Sequence, residues 1–82
     1  MNKQELRKQA HDLDVTVWVG KSGISAVEEE LDDQLKRSDL VKIKFLRSAR
    51  AGTTVEELTD ELAGRVDADV VETRGNTGVV HR

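Results

Sequence analysis

The sequence predicts an α/β fold: a two-layer sandwich with a mixed four-stranded sheet and the element order α-β-α-β-α-β-β. Segments 15–19 and 40–46 alternate apolar and polar residues with the period of two that is typical of strands. Three other segments repeat apolar residues every three or four positions, which is typical of helices with one buried side. Because each helix has a single apolar stripe, we expect the helices to cover one face of the sheet.

The first helix is predicted over residues 2–13, with Asn2 as its N-cap, and the first strand over residues 15–19. His11 is interpreted as a surface residue near the helix end, since no nucleophile or acid partner is evident for it. In the strand, Trp18 points away from the side of its valine neighbours. Two interpretations of Trp18 stay open: packing in the core or beneath a helix, which is favoured, and a platform on which a nucleobase stacks.

The second and third helices are predicted over residues 25–37 and 54–65. Each begins with a hydroxyl residue that is followed three positions later by Glu, the pattern of a capping box. The two boxes are Ser25 with Glu28 and Thr54 with Glu57. The glutamates at 28–30 are interpreted as a solvated helix face that suits the helix dipole, in preference to an acid-base or metal site.

The strand at 40–46 follows the second helix, so strand, helix and strand imply a parallel pair with a right-handed crossover. The last two strands are predicted over residues 69–74 and 78–82. Gly and Asn in the intervening segment 75–78 indicate a hairpin turn, which joins antiparallel strands. The sheet is therefore predicted to be mixed.

A Gly-x-x-Gly segment, Gly20-Lys21-Ser22-Gly23, joins the first strand to the second helix. Gly20 and Gly23 leave no side chain between the backbone and a ligand. Lys21 adds a positive charge and Ser22 a small donor, while the start of a helix has free amides and a partial positive charge. Together these features predict a site for a phosphate group. By itself, a Gly-x-x-Gly segment is more often a tight strand-to-helix turn.

The charge is segregated along the chain, although the formal net charge is −3. Residues 36–50 carry six bases against one acid, and the second and third helices carry most of the acids. Two lysines of the strand at 40–46 project from the same face, either as solubility residues or as part of a phosphate-binding surface. The candidate phosphate contacts beyond the glycine loop are Lys42, Lys44, Arg47, Arg50 and Arg74.

Length and composition restrict the function classes. A chain of 82 residues is long enough for one domain, taken as residues 1–82. It has no Cys and only two His, which excludes a disulfide framework and disfavours a metal site. Without an apolar run that could span a bilayer and without a signal peptide, the cytoplasm is the expected location, with no membrane partner. The complete nucleotide-binding motif Gly-x-x-x-x-Gly-Lys-Ser/Thr is absent, so we expect no enzyme activity, cofactor or small-molecule substrate.

Four segments in this order resemble a known family. They are Leu-Arg-Lys-Gln-Ala-His at 6–11, Val-Trp-Val-Gly-Lys-Ser-Gly-Ile-Ser at 17–25, Leu-Val-Lys-Ile-Lys at 40–44 and the ending Arg-Gly-Asn-Thr-Gly-Val-Val-His-Arg at 74–82. With them, nearly the whole chain resembles the CRM domain (chloroplast RNA splicing and ribosome maturation) of the YhbY-like family. The resemblance departs at His81, where the family usually has an aromatic residue, and in the acidic net charge.

The resemblance implies an RNA-binding domain whose fold is similar to the C-terminal domain of bacterial translation initiation factor three. It implies that the Gly-x-x-Gly loop is similar to the backbone-clamping loop of KH domains. Stand-alone prokaryotic members of this family associate with precursors of the large ribosomal subunit, so ribosomal RNA or a pre-ribosomal particle is the implied partner.

The leading hypothesis is a monomeric, non-enzymatic RNA-binding domain that clamps an RNA backbone. Its candidate RNA-binding residues are Gly20, Lys21, Ser22, Gly23, Lys42, Lys44, Arg47, Arg50 and Arg74. We expect this surface to recognise shape and phosphate more than bases, because aromatic residues are few. The alternative is a protein-interaction module that docks on a ribosomal protein or translation factor through its acidic helices. A small hydrolase or phosphotransferase is a third, weaker hypothesis.

Overall fold

The computed structural model describes residues 3–82, so the expected N-cap Asn2 lies outside the described residues. The predicted order of helices and strands is found within this range. The helices are α1 (Lys3–His11), α2 (Glu28–Leu35) and α3 (Val55–Arg65). The strands are β1 (Val15–Val19), β2 (Leu40–Phe45), β3 (Asp69–Arg74) and β4 (Thr77–His81). Two short 3-10 turns, Ile24–Ala26 and Arg47–Ala49, lie before α2 and after β2.

The four strands form one mixed sheet in the order β1-β2-β4-β3. β1 pairs with β2 in parallel, and β4 pairs antiparallel with both β2 and β3. The hairpin of β3 and β4 therefore adds to the far side of β2, and β4 becomes an inner strand. The predicted α/β class and mixed four-stranded sheet are confirmed.

The main core lies between the sheet and the pair α2 and α3. Alternate residues of β1 and β2, with Val80 of β4, point to this side. The most buried side chains include Phe45, Ile43, Leu31 and Leu62, which have no solvent exposure. These two helices and the sheet form the two layers that the sequence predicts.

Gly78 of β4 allows α3 to lie close to the sheet. A Cβ atom at Gly78 would come within 2.4 Å of the Thr59 hydroxyl oxygen and 2.8 Å of its methyl carbon. Thr59 is fully buried, and its hydroxyl donates a hydrogen bond of 2.7 Å to the carbonyl oxygen of Val55. Gly78 therefore leaves room for Thr59, whose buried hydroxyl already has a hydrogen-bond partner within its own helix.

The first helix packs on the opposite face of the sheet from α2 and α3. Leu6 and Ala10 of α1 form a second buried cluster with Leu40, Val71 and Val79. Strand neighbours point to opposite faces, so Val79 faces α1 whereas Val80 faces the main core. The helices therefore do not all share one face as the stripes predicted, and α1 adds a partial third layer over an apolar patch that the strands present there.

The start of α2 differs from the prediction. The expected capping box of Ser25 with Glu28 is wrong, because Ser25 lies in the 3-10 turn and α2 begins at Glu28 without a side-chain cap. Ile24 and Val27 are both buried. The tighter winding of a 3-10 turn aligns residues three apart, which is the spacing that buries both side chains together.

The start of α3 agrees more closely with its prediction. Thr54 is the N-cap, and its hydroxyl oxygen accepts a hydrogen bond of 3.1 Å from the amide of Glu57. The carboxylate of Glu57 accepts a hydrogen bond of 2.9 Å from the Thr53 hydroxyl. The N-cap of α3 is thus present, and the carboxylate of Glu57 is hydrogen-bonded to Thr53, the residue before the cap.

Candidate nucleic-acid interface

The Gly-x-x-Gly loop lies at one end of the sheet, together with two other connecting segments. Because β1 and β2 are parallel, the loop after β1 is adjacent to the segment after β2, and the amide of Leu46 donates a hydrogen bond of 2.8 Å to the carbonyl oxygen of Val19. The amide of Phe45 likewise donates 2.8 Å to the carbonyl oxygen of Asn76 in the β3–β4 turn. We call this region, residues 20–23, 46–53 and 75–76, the loop end of the sheet.

The glycine loop is a tight and exposed turn. The amide of Gly23 donates a hydrogen bond of 3.0 Å to the carbonyl oxygen of Gly20. Gly23 has φ +80°, a left-handed conformation that favours glycine. Lys21 and Ser22 are exposed, and their amides donate no hydrogen bond to another residue within 3–82. Two main-chain donors are therefore available to a ligand.

The expected helix start behind this loop is absent. The chain continues from Gly23 into the 3-10 turn Ile24–Ala26, and α2 begins only at Glu28. The first turn of α2 carries three glutamates, whose charge opposes the partial positive charge of the helix terminus. The prediction that helix dipole and loop act together on a phosphate is therefore wrong, and any phosphate site here depends on the loop amides and Lys21.

A row of four paired residues crosses the sheet beside the loop end. The register pairs Trp18 of β1 with Lys44 of β2, Lys44 with Thr77 of β4, and Thr77 with Arg74 of β3. Paired residues in neighbouring strands point to the same face, which here is the face that α1 partly covers. We call these four residues the open-face row.

The open-face row remains accessible because α1 lies over the other end of the sheet. The contacts of α1 are with Leu40, Val71 and Val79, which belong to rows further from the loop. Arg74 is exposed, and Lys44 is half-buried between its neighbours. Thr73, the residue before Arg74, hydrogen-bonds to Glu56 of α3 across 3.4 Å, which agrees with the placement of Arg74 on the opposite face.

Lys42 lies on the same face but one row further from the loop. It lines a cavity with His11, Glu72 and Arg74 at the end of α1. The side chains of His11 and Glu72 approach to 3.3 Å, so His11 has an acid partner that the sequence did not reveal. Lys42 therefore lies outside the loop end and the row beside it, although it shares this cavity with Arg74.

Arg47 and Arg50 lie in the 3-10 turn that follows β2 and directly after it. A Cβ atom at Gly20 would be 3.9 Å from the hydroxyl oxygen of Ser48, which places this turn beside the glycine loop. Arg47 is exposed. Arg50 is half-buried, and its Nε atom is buried with no hydrogen-bond partner among the described residues. Both arginines thus belong to the loop end.

Trp18 is the residue that the sequence analysis placed incorrectly. The favoured interpretation was packing in the core or beneath a helix, but 53% of Trp18 is exposed. Leu46 is 41% exposed, and a Cβ atom at Gly20 would touch its methyl group at 3.5 Å. These two are the large apolar residues that residues 3–82 leave exposed, and both lie at or beside the loop end.

The cations of the candidate site have no carboxylate partner among the described residues, unlike Arg65 and Lys36. Arg65 pairs with Glu28 at 3.4 Å and Glu61 at 3.1 Å, and Lys36 pairs with Asp32 at 3.3 Å. By contrast, no ion pair within residues 3–82 involves the side chains of Lys21, Lys42, Lys44, Arg47, Arg50 and Arg74. Their charge is available for an external anion.

The last two residues lie away from the candidate site. His81 is half-buried and pairs with Leu40, at the opposite end of β4 from the loop. Arg82 forms an ion pair with Asp32 and donates a hydrogen bond of 2.9 Å to the carbonyl oxygen of Val66. The hydrogen bond from Arg82, and then that from Lys36, holds the pKa of Asp32 below its ordinary value. Arg82 therefore ties β4 to α2 and the end of α3.

Residues 3–82 provide neither a membrane-spanning helix nor a cluster of metal ligands. No helix there has the length and apolar character that a bilayer crossing needs. No cluster of three or more His, Asp or Glu side chains is arranged in that range to hold a metal ion. The loop end therefore remains the candidate functional site.

A curated relative covers nearly the whole chain. It is a protein from Methanocaldococcus jannaschii whose name is "probable RNA-binding protein". The two are 39% identical over 80 residues, which is 98% of this chain and 60% of the relative. The chain thus spans about three-fifths of that protein's length.

Structural and family comparisons agree with this similarity. The solution structure of a hypothetical protein from Staphylococcus aureus, described there as a candidate RNA-binding protein, superposes with a TM-score of 0.80 and 28% identity. The match covers 98% of this chain and 82% of that one. The model of the CRS1/YhbY (CRM) domain family matches residues 1–82. The chain therefore belongs to the CRS1/YhbY (CRM) domain family.

Proposed function

We propose that this chain is a non-enzymatic RNA-binding domain that holds an RNA backbone at the loop end of its sheet. The observation that carries the proposal is an exposed Gly-x-x-Gly turn with two unused amides, beside cations that have no carboxylate partner. Membership of the CRM family and the names of the two relatives support RNA as the ligand.

The glycine loop contributes the closest contact in this mechanism. The amides of Lys21 and Ser22 are exposed at the tip of the turn and donate to phosphate oxygens. Glycines at both ends of the turn let the RNA backbone approach the main chain without a side chain between them. The Lys21 ammonium group then adds a charge-assisted hydrogen bond to the same or the next phosphate.

The cations on the neighbouring strands extend the contact along the RNA. Arg47 and Arg50 flank the glycine loop, while Lys44 and Arg74 lie in the open-face row. Each phosphate that such a cation neutralises adds about 0.7 to the slope of log affinity against log salt for a single strand. With Lys21, these four cations should give a slope of about −3.5, whereas Lys42 contributes less because it lies one row further from the loop.

Ribosomal RNA, or a pre-ribosomal particle of the large subunit, is the proposed target. This part rests on the family resemblance, since the shared chemistry of the loop end suits any RNA backbone. Crosslinking the protein to RNA in cells and sequencing the attached RNA tests it. Enrichment of large-subunit ribosomal RNA is the expected result, and an even spread over messenger and transfer RNA would contradict it.

The alternative of a protein-docking module has less support from the geometry. The acidic residues of α2 and α3 include Asp32, Glu28 and Glu61, which are already paired with cations of the chain itself. A basic partner would have to displace those pairs or bind the exposed acids without an ion pair among the described residues, such as Glu29 and Asp60. Pull-downs after nuclease treatment distinguish the two functions, because partners held through RNA are lost and partners held by protein contact are retained.

A further inference from the structure

Trp18 has an environment that a buried-core or solubility role does not explain. Trp18 is 53% exposed on a sheet face where its register partner is Lys44. Leu46, next to Gly20, adds a second exposed apolar side chain on the approach to the glycine loop. The remaining members of the open-face row, Thr77 and Arg74, are polar or charged. An aromatic ring thus lies beside Lys44, on a face that also carries Arg74 two strands further on.

The chemistry of this face selects among possible occupants. An apolar protein segment that covered Trp18 would also bury its register partner Lys44, whose charge has no carboxylate partner within residues 3–82. A nucleotide offers a flat aromatic base for the indole and a phosphate for the adjacent cations. A nucleotide therefore complements both parts of the face at once.

A base can stack on Trp18 only if one of its faces is free, and this requirement restricts which RNA secondary structures can bind. In a continuous duplex each base is covered above and below by its neighbours, so no base face is free for a protein ring. In a loop, bulge or single strand the bases can turn outward and stack on an aromatic side chain. The position of Trp18 between the glycine loop and Lys44 is compatible with one nucleotide whose backbone lies on the loop.

We propose that Trp18 stacks an unpaired base, so that this domain selects RNA with a single-stranded segment at the loop end. The inference rests on the proposed function and gives that site its substrate class. It adds base stacking to a surface that was expected, from its small number of aromatic residues, to recognise shape and phosphate more than bases. One ring is sufficient when it is exposed beside the backbone clamp.

The test uses the intrinsic fluorescence of the protein. Trp18 is the only Trp in the chain, and there is no Tyr, so the emission reports this one position. A short single-stranded oligoribonucleotide and a blunt duplex of the same sequence are titrated into the full chain. We expect the single strand to quench Trp18 and the duplex to leave its emission nearly unchanged.

Variants separate stacking from general RNA binding. Trp18→Leu keeps an apolar side chain but removes the ring, whereas Trp18→Phe keeps a smaller ring. Stacking contacts of this kind change affinity by roughly five- to one-hundred-fold, so Trp18→Leu should lose single-strand affinity in that range and Trp18→Phe should lose less. Affinity for the duplex should be the same in all three proteins. Because Trp18 is exposed, both variants should fold, which circular dichroism checks.

The outcomes distinguish this inference from the proposed function. If the wild-type protein binds neither RNA, the proposed function fails and the stacking inference fails with it. If RNA binds but Trp18→Leu binds the single strand as tightly as wild type, or the emission is unchanged at saturation, only the stacking inference is overturned. Emission that shifts with protein concentration alone would indicate a second copy on Trp18 and would also overturn it.

Discussion

The amide of Gly23 donates a hydrogen bond to the carbonyl oxygen of Gly20 across 3.0 Å, and this bond closes the turn at the tip of β1. It uses the amide of Gly23 and leaves those of Lys21 and Ser22 unpaired among the described residues. The amide of Gly23 therefore stabilises the turn, whereas the amides of Lys21 and Ser22 remain available to a ligand. That division of roles makes the loop suitable for gripping a phosphate without a helix terminus behind it.

Reversing the charge of the loop should weaken RNA binding with little effect on the fold. Lys21→Asp replaces an attraction by a repulsion, and Gly20→Asp adds a carboxylate beside the two free amides. A Cβ atom at Gly20 meets Leu46 at 3.5 Å, an ordinary contact, so the second variant should also fold. We expect each to lose at least tenfold in affinity for structured ribosomal RNA, measured by filter binding, with an unchanged circular dichroism spectrum.

The matched control for these variants is Arg37→Asp. Arg37 is exposed and follows α2, next to the beginning of β2 and hence at the opposite end of the sheet from the loop. Arg37→Asp makes the same change in net charge as Lys21→Asp. If Arg37→Asp weakens binding as much as Lys21→Asp does, the effect is one of total charge, and the clamp at the glycine loop is wrong.

The cations of the site should differ in their contribution to salt dependence. Lys44→Ala and Arg74→Ala each remove one charge of the open-face row, so each should reduce the slope of log affinity against log salt by about 0.7. Lys42→Ala serves as the matched control on the same strand, because Lys42 lies one row further from the loop than Lys44. If Lys42→Ala and Lys44→Ala reduced the slope equally, the proposal that Lys44 contributes more to RNA binding than Lys42 would be wrong.

The strands and their faces could be predicted because the apolar pattern and the geometry of a strand have the same period. In β2, Val41, Ile43 and Phe45 face the main core, and Lys42 and Lys44 face away from it, as the alternation indicates. The parallel pairing of β1 with β2 then brings the glycine loop next to Arg47. Eight of the nine candidate residues consequently lie at the loop end or in the row beside it.

The exposure of Trp18 could not be predicted, because it depends on where α1 docks. The stripe of α1 indicates that the helix is buried on one side but does not say against which face of the sheet. Leu40, Val71 and Val79 provide the apolar patch that α1 covers, and Val71 lies at an irregularity of β3 that disturbs simple alternation. Long-range packing therefore decides which face of the sheet α1 covers, and the exposure of Trp18 follows from that.

The helix start after Gly23 was wrong for a related reason. Ser25 followed by Glu28 has the sequence of a capping box, but the burial of Ile24 and Val27 favours a 3-10 turn in that position. Local hydrogen-bonding patterns compete with core packing at a helix end, and here packing prevails. Thr54 is free of that conflict, since its N-cap hydrogen bond and the burial of Val55 are compatible.

Replacing Gly78 should show how closely α3 approaches the sheet. In Gly78→Ala the new methyl carbon would lie 2.4 Å from the Thr59 hydroxyl oxygen, so helix or strand must shift. Overpacking of this kind costs about 1–3 kcal/mol, which a urea denaturation curve would detect as a lower midpoint. The double variant Gly78→Ala with Thr59→Ala should recover part of that loss, because the clashing hydroxyl and methyl are removed.

The same substitution at Gly64 is the control for the change at Gly78. Gly64 lies in α3 with no atom within 4 Å of its added Cβ and with no positive φ. Gly64→Ala should therefore stabilise the protein by up to about 1 kcal/mol, because alanine favours a helix more than glycine does. If Gly78→Ala were as stable as Gly64→Ala, the close approach of α3 to β4 would be incorrect.

The ion pair of Arg82 with Asp32 should make stability depend on acid pH. The hydrogen bond from Arg82 lowers the pKa of Asp32 in the folded state below its value in the unfolded chain, which is about 3.9. Stability from this pair is therefore present above about pH 4 and is lost as the pH falls through the lowered folded pKa. Asp32→Asn cannot ionise at this position, so it should be less stable than wild type at neutral pH and should lose less on acidification.

Urea denaturation of both proteins at neutral pH and at about pH 3 measures the difference, since linkage predicts that their midpoints converge in acid. Asp33→Asn is the matched control, because Asp33 lies next in the chain and its ion pair within residues 3–82 is with Lys36 at 3.8 Å. We expect Asp33→Asn to follow the wild-type profile more closely. Midpoints of Asp32→Asn and wild type that stay the same distance apart at both pH values would show that Arg82 does not lower the pKa of Asp32.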